Sequence, residues 1–173
     1  MEVGEYGVGA FLQFVENCNY VLYNQATGRE QGEMDIVGIR DADRVVFVCE
    51  TAFHLRGLQY TPRKAEPGPG ASAKAVIDRI SKKFRRSSEA ISRMFPSYDP
   101  CYQFWTMKSR PDINKRWSQM CDQLDLGIEF IHGQEFSQKM RQLREKARKD
   151  KSYVDNPFYR TLQILEQATA LDD

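Results

Sequence analysis

Gly32-Glu33-Met34-Asp35-Ile36-Val37-Gly38-Ile39-Arg40, the segment Asp41-Ala42-Asp43, and Arg44-Val45-Val46-Phe47-Val48-Cys49-Glu50-Thr51-Ala52 form the stretch whose reading decides the fold. Two apolar runs flank a short segment of turn-forming residues, which predicts strands over Glu33–Arg40 and Arg44–Thr51 joined as a hairpin. Val45 to Cys49 is apolar without interruption, as expected of a central strand covered on both faces. A turn centred on Ala42 pairs residues whose numbers sum to about 84 or 85. Asp35 then lies across from Glu50, or one position off. Opposed side chains have Cβ atoms about 4.5–5.5 Å apart, and two carboxylates at that distance repel unless a cation or a shared proton lies between them. Mg²⁺ or Mn²⁺ suits oxygen ligands of this kind. An ordinary reading stays open, in which either acid turns away or pairs with Arg29, Arg40 or Arg56.

Outward from the hairpin, Val8, Phe11, Leu12 and Val15 mark a helix over residues 3–17, and Tyr20–Asn24 reads as a short strand. Residues 61–72, TPRKAEPGPGAS, are too rich in Pro and Gly for helix or strand. Ala73–Phe95 is a long amphipathic helix with Val76, Ile77, Ile80, Phe84 and Ile91 on its buried stripe. Strands are expected at Tyr102–Met107 and Gly127–His132, and helices at Asp112–Leu124, Glu135–Lys149 and Pro157–Leu171, the last with Pro157 in its first turn. A hairpin followed by helix-connected strands implies an α/β domain: a mixed central sheet with helices on both faces, in three α/β/α layers.

The chain of 173 residues is long enough for one domain with a real core. No apolar run approaches the roughly 20 residues of a membrane span. The first residues carry acids where a signal peptide carries Lys or Arg, so a cytoplasmic address and no membrane partner are expected. The four cysteines are widely spaced and only two histidines are present, which argues against a structural zinc site and for reduced, buried thiols. Net charge is +1, unevenly spread: residues 1–50 hold nine acids against three basic residues, a net −6, and residues 51–151 hold 21 basic residues against 11 acids, a net +10. Such a division suits a cation site beside a polyanion track, though it also suits two solvated faces. Lys82, Lys83, Arg85 and Arg86 are the first choice for phosphate contact, because their helix directly follows the hairpin. The charged helix from Glu135 to Lys149 is an equal match for a phosphate track or a solvated face. Tyr102, Phe104 and Trp105 read as core rather than as base-stacking rings.

Gly4-Glu5, then Gly32-Glu33-Met34-Asp35-Ile36-Val37, then Val45-Val46-Phe47-Val48-Cys49-Glu50-Thr51-Ala52 resemble the PD-(D/E)xK nuclease superfamily, which has the restriction-endonuclease-like fold. The pattern is most similar to that of small nucleases related to Holliday-junction resolvases and RecB-type domains. The likeness covers residues 4–52, about a third of the chain. It implies a Mg²⁺- or Mn²⁺-dependent endo- or exonuclease acting on DNA more readily than RNA, with room for a homodimer. Glu5, Asp35 and Glu50 would be its metal-binding acids, and Arg56, Lys82, Lys83, Arg85 and Arg86 its contacts to nucleic acid. One position departs from the pattern. The family's lysine, two residues after the second acid, is Ala52 here. Either Lys82 or Lys83 substitutes from the following helix, with Lys64 and Lys74 as weaker substitutes, or His54 or Arg56 serves as donor. His54 is roughly 13 Å along an ideal strand from Glu50. The alternative is a catalytically inactive protein that keeps the fold to bind nucleic acid or a partner protein.

Overall fold

The computed structural model describes residues 2–28, 32–53 and 71–169. Its elements are α1 (Val3–Phe14), β1 (Tyr20–Ala26), β2 (Glu33–Arg40), β3 (Val45–Ala52), α2 (Ala71–Met94), β4 (Asp99–Thr106), α3 (Pro111–Leu124), β5 (Ile128–Ile131), α4 (Gly133–Lys149) and α5 (Pro157–Thr169). The strands lie in chain order, β1-β2-β3-β4-β5, in one sheet. β1, β2 and β3 run antiparallel, and β4 and β5 add to β3 in parallel. The sheet is therefore mixed, as the element order predicted. Antiparallel neighbours are joined by short connections. The parallel steps from β3 to β4 and from β4 to β5 each carry a helix, as a crossover requires.

Two cores lie on the two faces of this sheet. Val46 and Val48 of β3 pack with Val76, Ile80, Phe84 and Ile91 of α2 and with Ile113 and Trp117 of α3. Phe47 and Cys49 point the other way, into a core with Phe11 and Leu12 of α1, Leu143 of α4 and Tyr159 of α5. Alternation along one apolar strand thus serves both layers, and the result is an α/β/α sandwich. All five residues expected on the α2 stripe are buried, and so are Tyr102, Phe104 and Trp105. The four thiols are free. Burial pushes the Cys18 thiol up to about 12, so it is an apolar filler and not a nucleophile.

Several boundaries differ from expectation for local reasons. α1 stops at Phe14, three residues early, because the chain turns out through Asn17 in the left-handed conformation (φ 58°). β1 runs two residues further than expected, since backbone pairing of Gln25 with Met34 and of Ala26 with Glu33 needs no apolar side chain. β3 begins at Val45; Arg44 belongs to the turn, with φ 55°. β4 begins at Asp99 and passes through Pro100, a tolerated position at the start of a strand. Residues 71 and 72, expected in the loop, are the first of α2. The rest of that loop lies outside the described residues. Among the described residues no helix is long and apolar enough to cross a membrane.

α1 lies close on the rest of the protein because it carries glycines. A Cβ at Gly4 would sit 2.0 Å from the Phe53 ring, and one at Gly9 would sit 2.0 Å from the Tyr23 hydroxyl. Both aromatic side chains occupy space that any larger residue would fill.

Candidate active site

The hairpin register is set by Arg40↔Val45 through Ile36↔Cys49. Those numbers sum to 85, so the next pair in line is Asp35 with Glu50, as the turn predicted. Asp35, Val37 and Ile39 alternate onto the α2 face of the sheet, and so do Val46, Val48 and Glu50. Asp35 replaces a ladder partner with its side chain: its Oδ2 accepts the Thr51 N–H at 2.8 Å and the Thr51 hydroxyl at 3.3 Å.

The space between the two acids is taken by Lys83. Its ammonium donates to Asp35 Oδ1 at 2.9 Å and to Glu50 Oε2 in a short contact. Lys83 reaches them from α2, two turns of buried stripe away from Val76, with its stem along the apolar floor. Ser87, one turn further on, is buried and directs its hydroxyl to Glu50 Oε1 at 3.4 Å. Each of the four carboxylate oxygens therefore has a donor.

Glu50 is fully buried, and burial, reinforced by the Asp35 charge, pushes its carboxyl up to about 8 despite the pull of Lys83. Burial alone would lower Lys83, but the Glu50 and Asp35 charges outweigh it and hold the ammonium above its ordinary value. Near neutral pH the cluster thus keeps a charged lysine and a readily protonated Glu50. A carboxyl perturbed by burial and by specific charged partners beside a cleft marks a candidate functional site.

Asp35, Thr51, Ala52, Lys83, Arg79 and Glu5 line a cleft of about 250 Å³ beside the cluster. Glu5 faces this cleft from α1, but its Oε2 accepts the Glu2 N–H at 2.9 Å as a helix cap. Among the described residues no three His, Cys, Asp or Glu side chains come together as an ion site. The expected trio of acids is therefore two acids and a neighbour. The donor set fits a hard divalent cation on those two, since Mg²⁺ is commonly held by one or two carboxylates and keeps several waters. Asp35 and Glu50 would hold it.

Of the expected cations, Lys83 meets the acids. Lys82 does not: one residue along a helix is a rotation of about 100°, and Lys82 is exposed on the wall of a neighbouring cleft. Arg86 lines that same wall, whereas Arg85 is exposed and lines neither cleft. Lys74 is exposed and lines neither cleft. His54, Arg56 and Lys64 lie outside the described residues. His132 stands at the start of α4 with its ring 4.4 Å from Phe130, in a packing role.

Thr51, Ser87 and Arg79 belong to the site and were not singled out from the sequence. Ser87 had a signal, a hydroxyl where the apolar stripe of α2 should continue. Thr51 and Arg79 had none. No protein-family model, curated protein or solved structure matches this chain.

Proposed function

We propose that the chain is a metal-dependent nuclease of the PD-(D/E)xK type, hydrolysing phosphodiester bonds, preferentially in DNA. One observation carries the reading. Ala52 stands at the position where the family pattern has its lysine, and a lysine from another element, Lys83, has its ammonium on both acids. Strand position and helix position supply the same functional atom.

A bound Mg²⁺ or Mn²⁺ would supply a water of lowered pKa and positive charge against the phosphate. The chain's own groups do the rest. Asp35 and Glu50 would hold the ion, with Thr51 fixing the Asp35 carboxylate and Ser87 the Glu50 carboxylate. With an ion on the acids, Lys83 would be the charged donor next to the site, the role the family pattern gives to its lysine. A second reading is a protein that binds nucleic acid or a partner protein without cleaving. It is favoured by the fact that Lys83 already neutralises the acids, so the site is stable with no ion.

The test is incubation of the purified chain with single-stranded, duplex and branched DNA in Mg²⁺ or Mn²⁺, beside Asp35→Ala and Lys83→Ala. Circular dichroism controls for folding. Cleavage by the wild type that falls about 100-fold or more in either variant supports the proposal, since one transition-state contact is worth about 10²–10³ in rate. Equal traces for all three proteins on every substrate would overturn it and leave the binding reading.

A further inference from the structure

The cleft at Asp35 does not end at Lys83. Arg79 and Lys83 line it on one side and on the other line a larger cleft of about 970 Å³, shared with Lys82 and Arg86. The two clefts are therefore adjoining sections of one groove along α2. Residues 79, 82, 83 and 86 recur every three or four positions, which places them along one face of the helix. From Arg79 to Arg86 the axis rises about 10 Å, the length of roughly three nucleotides at about 3.4 Å each.

The cations lie inside a concavity. Its other wall includes Thr27, Gly32 and Glu33, at the end of the β1–β2 hairpin where β1 leads into β2. Spread over about 10 Å of α2, a cleft of about 970 Å³ is about 10 Å across, narrower than a duplex, whose major groove alone is about 12 Å wide. An unpaired strand can lie within such a groove. Two acids, Glu33 on the hairpin and Asp78 on α2, line the cleft as well, so phosphate contact falls to Arg79, Lys82 and Arg86.

We propose that this groove binds an unpaired nucleic-acid strand, with Arg79 holding the phosphate at the junction beside Asp35 and Lys82 and Arg86 holding the two that follow. The inference rests on the nucleic-acid half of the proposed function and is independent of cleavage. It makes the substrate a single strand or the unpaired arm of a branched molecule.

The experiment measures binding of a fluorescent twelve-nucleotide DNA strand by anisotropy, in EDTA, over a range of KCl. The same sequence as RNA and as a DNA duplex is run in parallel. For three neutralised phosphates on a single strand, log K against log salt has a slope of about −2, and affinity falls about 16-fold between about 50 and about 200 mM. Lys82→Gln with Arg86→Gln reduces the slope to about −0.7 and the fall to about 3-fold, and Arg79→Gln reduces the slope to about −1.4. Arg116→Gln, on the exposed side of α3, keeps the wild-type slope. The duplex binds more weakly than the strand. All four residues are exposed, and circular dichroism melts of each variant separate a folding defect from a lost phosphate contact. Variants that keep the wild-type slope, or a duplex bound as tightly as the strand, overturn the inference. A protein that binds in this way and cleaves nothing keeps the groove and loses the nuclease. A protein that cleaves with a slope insensitive to these cations loses the groove alone.

Discussion

Replacing Lys83 by Met deletes one ammonium, keeps the apolar stem and tests how the buried acids are held. The magnitude follows from the site. Stripping one partner from a buried ion pair costs about 3–5 kcal/mol when an uncompensated charge is left behind. Glu50 escapes that fate below its folded value of about 8 by taking a proton. Near neutral pH the loss is then mainly the charged hydrogen bond to Asp35, worth about 1.5–3 kcal/mol. Lys83 is 34% exposed and Asp35 12%, so solvent screening moves the figure to the lower part of that range, about 2 kcal/mol. Above pH 8 the wild type ionises Glu50 against Lys83, whereas the variant must keep it protonated. The difference then widens by about 1.4 kcal/mol per pH unit. For a chain of this length about 2 kcal/mol lowers the melting temperature by roughly 4–8 °C. Thermal unfolding at pH 5, 7 and 9, read by circular dichroism in EDTA, measures the trend. A penalty that is equal at pH 7 and pH 9, or smaller at pH 9, would refute the assignment of Lys83 as the charge partner of Glu50.

Glu50→Gln removes a titration whose sign is fixed by the raised value. The folded protein binds the proton more tightly than the unfolded chain, so Glu50 opposes folding increasingly as pH rises from the ordinary 4.5 to about 8. The stability of wild type relative to the Gln variant falls across that window by up to about 4–5 kcal/mol, measured by urea denaturation at several pH values; a flat difference would contradict it. Gly9→Ala places a methyl against the Tyr23 hydroxyl and costs about 1–3 kcal/mol by overpacking, measured in the same way. Gly9→Ala paired with Tyr23→Phe recovers only a small part of that loss, because two Tyr23 ring carbons, at 2.6 and 2.8 Å from the added Cβ, stay in the way after the hydroxyl is gone.

By itself the sequence determined the hairpin, the register and the two facing acids. Those are local matters: three turn residues close the loop, a period of two selects the face, and Asp35 and Glu50 are then neighbours wherever the rest of the chain goes. The boundaries of β2 and the buried stripe of α2 were legible for the same reason, since each depends on spacing within one element. The partner of the acids was not. Lys83 meets Asp35 and Glu50 across sequence separations of 48 and 33 residues, and Lys82 differs from it by one step of about 100° around the helix. Which of the two points inward depends on how α2 settles on the sheet, a matter of packing Val76, Ile80 and Phe84 against Val46 and Val48. Glu5 was placed in the cleft by the fold and then held by its own helix cap. Arg79 and Ser87 joined the site because helix periodicity sets them one turn to either side of Lys83, Arg79 on the cleft and Ser87 buried beneath Glu50. Local rules placed the charge that needs a partner; only the docking of α2 on the sheet, driven by apolar burial, decided which residue is that partner.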